Sequence, residues 1–221
     1  MASCLAVLQT EELEVSDPNR ERDQLTIMAD QVFNKILGDA VRSGVIPDRS
    51  RKSIEWLRNR AKNTHLNNRD LLNEGSRLRN KVDVGSMYMF KYDPKFGKEL
   101  PYYDAFPLIF PFAAVPGGFY GINMHYLPYN YRAKLMDALY DITNNSRFDK
   151  TTKLRLSYNL LSNTAKYKYF KPCVKHYLND HVRSPFIYVY PAEWDMALFL
   201  PTEQFKKADR KTVWRDSRNM I

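Results

Sequence analysis

LIFPFAAVPGGFYGINMH, residues 108–125, decides how the chain is read. Two runs rich in aromatic and branched residues, 108–112 and 119–125, flank Pro116-Gly117-Gly118, and that order predicts two strands joined by a tight turn. Pro111 lies inside the first run, with Pro101, Pro107 and Pro116 around it. Proline has no N–H to give to a ladder, so these residues are expected at edges, bends or strand ends of a strongly curved sheet. A small barrel or roll fits that curvature better than a flat sheet.

Outward from the hairpin, SMYMFKY (86–92) predicts a further strand, bounded by Gly85 and the turn Asp93-Pro94. FIYVY (186–190) and ALFL (197–200) predict a second β pair, followed by a polar tail with Thr202 as N-cap. Helices are expected over 131–143, with Leu135, Met136, Leu139 and Tyr140 inward, over 151–167, and over 172–182, where Pro172 suits the first helical position. On the N-terminal side, Leu25, Met28, Ala29, Val32, Phe33 and Ile36 follow helical spacing over 24–37, and Gly38 can end that helix. Ser50 or Ser53 can cap a second helix running to Lys62. A polar link over 63–84 contains LLNEG (71–75), whose glycine suits a C-cap. The expected class is α+β: an N-terminal helical arm, a small curved β-barrel or roll, packed helices and a C-terminal β pair. The expected division is an acidic N-terminus and basic helical arm at 1–84 and a main domain at 85–221.

The chain of 221 residues is 44% hydrophobic and 27% charged, which excludes disordered and collagen-like classes and predicts a folded core. The longest apolar run, 105–115, is broken by Pro107 and Pro111 and is far shorter than the roughly 20 residues of a membrane-spanning helix. The N-terminal residues lack a positive region before their apolar stretch, so a non-secreted protein is expected, with Cys4 and Cys173 as reduced thiols.

Charge is distributed unevenly. Residues 1–48 hold 4 Lys or Arg against 9 Asp or Glu, whereas 49–81 hold 10 against 3. Further basic stretches lie at 166–183 and 206–218. Arg51, Arg58 and Lys62 share a predicted helix face with Lys52 and Arg60 beside it, and Arg69, Arg77, Arg79 and Lys81 follow. KYKYFKPCVKHY (166–177) interleaves Lys166, Lys168 and Lys171 with Tyr167 and Tyr169. Cations that meet phosphates release counterions and give affinity without sequence preference, while nearby rings can stack on exposed bases. These fourteen residues are the expected nucleic-acid contacts. Nothing resembles a groove-reading motif, so base-specific recognition is not expected.

Other chemistry finds weaker footing. Cys173, His176, Asp180 and His181 lie close in sequence, but a helix would rotate His181 away from Asp180, so no metal or other cofactor is expected. Asp93, Asp104, Glu193 and Asp195 could hold a nuclease metal but carry no recognisable spacing. No Gly-x-Ser-x-Gly elbow is present, and Gly117-Gly118 precedes a strand instead of a phosphate-binding helix. A non-catalytic protein without a small-molecule substrate is the expectation.

The runs GSMYMFKYDPKFGKELPYYDAFPLIFPF (85–112), GGFYGINMHYLP (117–128) and WDMALFLPTEQF (194–205) resemble a family of virion proteins from T-even-type contractile-tailed bacteriophages, the DNA end protectors. The resemblance covers about 50–218, leaving the acidic N-terminal segment outside it. It implies a minor structural protein, made in the host cytoplasm and carried in the virion. Such a protein binds the termini of packaged linear double-stranded DNA, shields them from exonucleases, and works with other virion proteins to complete the head. The alternative is a neck, tail or baseplate component that acts through protein contacts.

Overall fold

The computed structural model describes residues 31–45, 51–64, 68–143, 145–166 and 168–220. In chain order the elements are α1 (Gln31–Arg42), α2 (Arg51–Lys62), α3 (Asn68–Leu72), β1 (Leu78–Arg79), β2 (Met87–Met89), β3 (Tyr103–Asp104), β4 (Leu108–Val115) and β5 (Gly118–Asn123). There follow α4 (Tyr129–Thr143), α5 (Lys150–Lys166), β6 (Val174–Leu178), β7 (Phe186–Val189), α6 (Trp194–Phe199), β8 (Phe205–Lys206) and α7 (Arg210–Asn219).

The hairpin forms where its sequence places it. Val115 pairs with Gly118, leaving Pro116-Gly117 as a two-residue turn. Gly117 has φ +75°, and proline followed by a left-handed glycine is the combination a type II turn requires. The ladder slips by one residue between Pro111 and Ala113, while β2 pairs only with Leu108 and Ile109. Pro111 therefore lies beyond the reach of β2, where its missing N–H costs no bond, and next to a bulge that bends the strand.

The main sheet is antiparallel, in the order β1-β7-β2-β4-β5-β6, with β3 and β8 forming a separate two-stranded ladder. β1 and β6 lie at opposite edges and do not pair, so the sheet is open and the expected barrel is not formed. The two to four residues of β1, β2 and β7 offer too few ladder positions for closure.

Alternation along the strands gives each face its own core. Met87, Met89, Leu108, Phe110, Ile122 and Ile187 join one buried cluster with Phe33 of α1, Leu57 of α2, Leu139 of α4, Leu161 of α5 and Trp194 of α6. Tyr88, Phe90, Ile109, Phe119, Tyr177 and Phe186 form a second cluster on the opposite face, with Tyr92. Several of its rings meet edge to face, Phe90 with Phe186 at 5.0 Å and Tyr92 with Tyr177 at 5.0 Å, while Phe119 stacks on Tyr177 at 5.5 Å. Such pairs add about 0.5–1.5 kcal/mol each beyond the area they bury.

Several local expectations change. Residues 172–182 are not a helix: a 3-10 turn, Lys168–Cys173, leads into β6, which lies along β5. FIYVY supplies β7, but it pairs with β1 and β2, and ALFL lies in and just after α6, so the C-terminal β pair is absent. Thr202 caps nothing; Asp209 caps α7 by accepting from the Thr212 N–H at 2.7 Å. α1 runs through Gly38 to Arg42 and is followed by Gly44 at φ +66°, while the expected helical residues 24–30 lie outside the described residues. Gly75 opens a 3-10 turn and is not a C-cap.

Candidate nucleic-acid interface

Arg79 and Lys81 are exposed at the rim of a groove of about 660 Å³. Val82, Phe119, Val182 and Phe186 line it, so its wall is the edge of the aromatic cluster. The short β1 strand places Arg79 opposite Phe186. Arg79 Nη1 donates to the carbonyls of Ser76 (2.7 Å) and Leu78 (2.9 Å), and the guanidinium lies 5.5 Å from the Tyr188 ring centroid. These contacts orient the side chain without neutralising it. Arg183, also exposed, donates to the Asp180 carbonyl and lies 3.8 Å from the Asp93 carboxylate.

The other expected contacts separate. Arg77 is a correction: it is fully buried and beyond the reach of a phosphate. Its Nη1 and Nη2 donate to Glu193 Oε2 and Oε1, both at 2.6 Å, and its Nε donates to Glu74 Oε2 at 2.7 Å. Phe33 and Tyr190 cover the guanidinium at 4.6 and 4.9 Å. Arg60 is exposed but shares the Asp39 carboxylate with Arg42, so part of the charge on α2 is spent. Hydrogen bonds from Arg60 and then Arg42 hold the Asp39 carboxyl below its ordinary range.

Lys52, Lys166 and Lys171 are exposed, and Arg69 is exposed while engaged in a contact of its own. The side chains of Arg51, Arg58, Lys62, Lys168 and Tyr169, and all of Tyr167, fall outside the described residues.

Several of the residues considered for metal and acid chemistry are engaged in structural contacts, and the side chain of Asp195 falls outside the described residues. Cys173 is buried, and burial pushes its thiol up to about 12. His176 stacks on Tyr120 at 4.8 Å, and His181 Nδ1 lies 2.8 Å from the Asp93 carbonyl. Among the described residues no three His, Cys, Asp or Glu side chains are grouped to hold a metal.

Asp104 is buried, with Oδ2 2.6 Å from His125 Nδ1 and 3.2 Å from Asn123 Nδ2, while Oδ1 accepts from the N–H groups of Phe106 and Gln204. His125 Nε2 lies 3.2 Å from Thr202 Oγ1. All three residues are under 5% exposed, and the Asp–His–Thr arrangement ties β3 to the loop before β8.

Sequence reading passes over Lys95, Phe96, Tyr102 and Tyr103, which border a second recess together with Lys175. The signal is present in KYDPKFGKELPYY (91–103), where cations and rings alternate as they do in 166–177. Among the described residues no helix is long and apolar enough to cross a membrane.

Comparison with curated proteins and with solved structures gives no match. A family model does match, over residues 3–217, and so includes the acidic segment that the resemblance left out. The chain belongs to the phage T4 terminal DNA protecting protein family.

Proposed function

We propose that the protein binds the ends of linear double-stranded phage DNA without sequence preference and protects them, as a non-catalytic component of the virion that also aids head completion. Family membership across nearly the whole chain is the observation that carries this reading. Arg79 and Lys81, exposed at a groove with an aromatic wall, supply the chemistry: cations for phosphates and rings for bases that fray at a terminus. Arg77 takes no part, and Arg60 contributes less than its charge suggests.

Competition between a linear duplex and a covalently closed circle of the same sequence tests the reading. The linear form wins, and affinity falls steeply between roughly 50 and 200 mM salt. Equal affinity for the two forms, or affinity indifferent to salt, contradicts it.

A further inference from the structure

On the far side of the Tyr92–Val182 bridge from the basic groove, two recesses share a wall. The first, about 320 Å³, is bordered by Tyr92, Phe96, Tyr102 and Tyr103 and floored by Tyr126 and Tyr177. The second, about 450 Å³, is bordered by Lys171, Lys175, Ser217 and Met220. Tyr102, Tyr126 and Lys175 line both.

Lys175 is the unusual member. It is half-buried on β6, its ammonium lies 4.0 Å from the Tyr126 ring centroid, and among the described residues it makes no ion pair with a carboxylate. An ammonium held partly out of water without a counter-charge is costly unless an anion joins it. Burial lowers its pKa, against a smaller opposing effect of the Cys173 thiol. Ser217 lines the second recess with Lys175, and among the described residues its buried Oγ has no hydrogen-bond partner. A cation without a counter-charge and a hydroxyl without a hydrogen-bond partner among the described residues, next to a ring-lined slot, match a phosphate joined to a flat aromatic group.

We infer that these paired recesses bind the 5′-terminal nucleotide of a DNA end, its phosphate on Lys175, Lys171 and Ser217 and its base among Tyr102, Tyr103 and Phe96. This rests on the end-binding reading and deepens it. A slot of this kind admits a base only after it leaves the stack, which costs least at a frayed terminus. A 5′-phosphate monoester also carries more charge than any internal diester. The pair of recesses therefore supplies a reason for preferring ends, which a basic groove alone does not.

The test is equilibrium binding of the full chain to one duplex made with 5′-phosphate or 5′-hydroxyl termini, at fixed salt. The phosphorylated duplex binds about 10- to 100-fold more tightly, the range for hydrogen bonds to a charged group. Lys175→Met removes that difference. Phe96→Ala, at a residue 53% exposed and safe for folding, weakens both duplexes by roughly 5- to 150-fold because the base has no ring there to stack on.

Equal affinity of the unaltered protein for the two termini, or a phosphate preference that survives Lys175→Met, overturns the inference. If ends still outcompete closed circles in that case, the end-binding reading stands and only the recesses are wrong. If ends and circles bind alike, the reading itself has failed.

Discussion

Arg77 and Glu193, 116 positions apart, meet in a two-pronged ion pair with both N···O distances at 2.6 Å and neither side chain more than 6% exposed. The pair joins the turn before β1 to the start of α6, and the Glu193 Oε2 also accepts from the Tyr190 N–H at 3.1 Å. Removing the arginine would take the buried cation away from two carboxylates, because Glu74 also accepts from it. Arg77→Met is expected to cost about 3–5 kcal/mol, the range for breaking a buried pair from one side. Urea unfolding checks this. Any fall in DNA affinity should track the unfolded fraction, since Arg77 faces no ligand.

Gly85 separates two effects of adding a methyl group. Its φ is +82°, and a Cβ there would lie 2.6 Å from the Ser157 Cβ of α5. Gly85→Ala is expected to destabilise by about 1–3 kcal/mol. Gly75, with open space around its missing Cβ and no left-handed backbone, is the control. Gly75→Ala should be neutral or stabilise by up to about 1 kcal/mol. Thermal unfolding of the two variants side by side distinguishes them.

Asp104 makes stability sensitive to acid. Burial alone would raise its carboxyl pKa, but the charge and hydrogen bond of His125 and the N–H groups of Phe106 and Gln204 outweigh it, and the net direction is down. A folded pKa below the unfolded value of about 3.9 gives stability that is complete above that value and lost as pH falls through the folded one. The urea midpoint should therefore drop on going from pH 5 to pH 3. Asp104→Asn should start from a lower midpoint and show a shallower drop across the same interval.

Charge at the interface is measurable one residue at a time. Deleting a cation that neutralises one phosphate should reduce the slope of log K against log salt by about 0.9. Arg79→Ala and Lys81→Ala are each expected to do so, whereas Arg60→Ala should change the slope less, because Asp39 already holds that guanidinium. Equal slopes for all three variants and the unaltered protein would remove the groove from the binding surface.

How far the sequence discloses this depends on whether a residue's partners are near it in the chain. The β4–β5 hairpin is legible because its turn chemistry and its ladder are local, and α2, α4 and α5 are legible from their helical spacing. β6 is misread because Pro172 imitates a helix start, while the alternation that marks it as a strand, Tyr177 inward and His176 outward, covers only five residues. ALFL is a short, wholly buried run, and burial on every side erases the periodicity that separates a helix from a strand.

Of the expected contacts, Arg79 and Lys81 are exposed. The burial of Arg77 is invisible in the sequence, since no local feature announces a carboxylate partner 116 residues away. Lys175 lies within a stretch that is basic and aromatic throughout, and only the packing of β6 against Tyr126 distinguishes it from its neighbours.

Digestion of linear duplex DNA by a processive exonuclease, with and without the bound protein, tests the central claim most directly. The unaltered protein should slow loss of DNA from the termini and leave cutting by an endonuclease in the interior unchanged, and the Arg79→Ala, Lys81→Ala double variant should lose most of that protection while folding normally. Termini digested at the same rate with and without protein, or protection that the double variant retains in full, would contradict it.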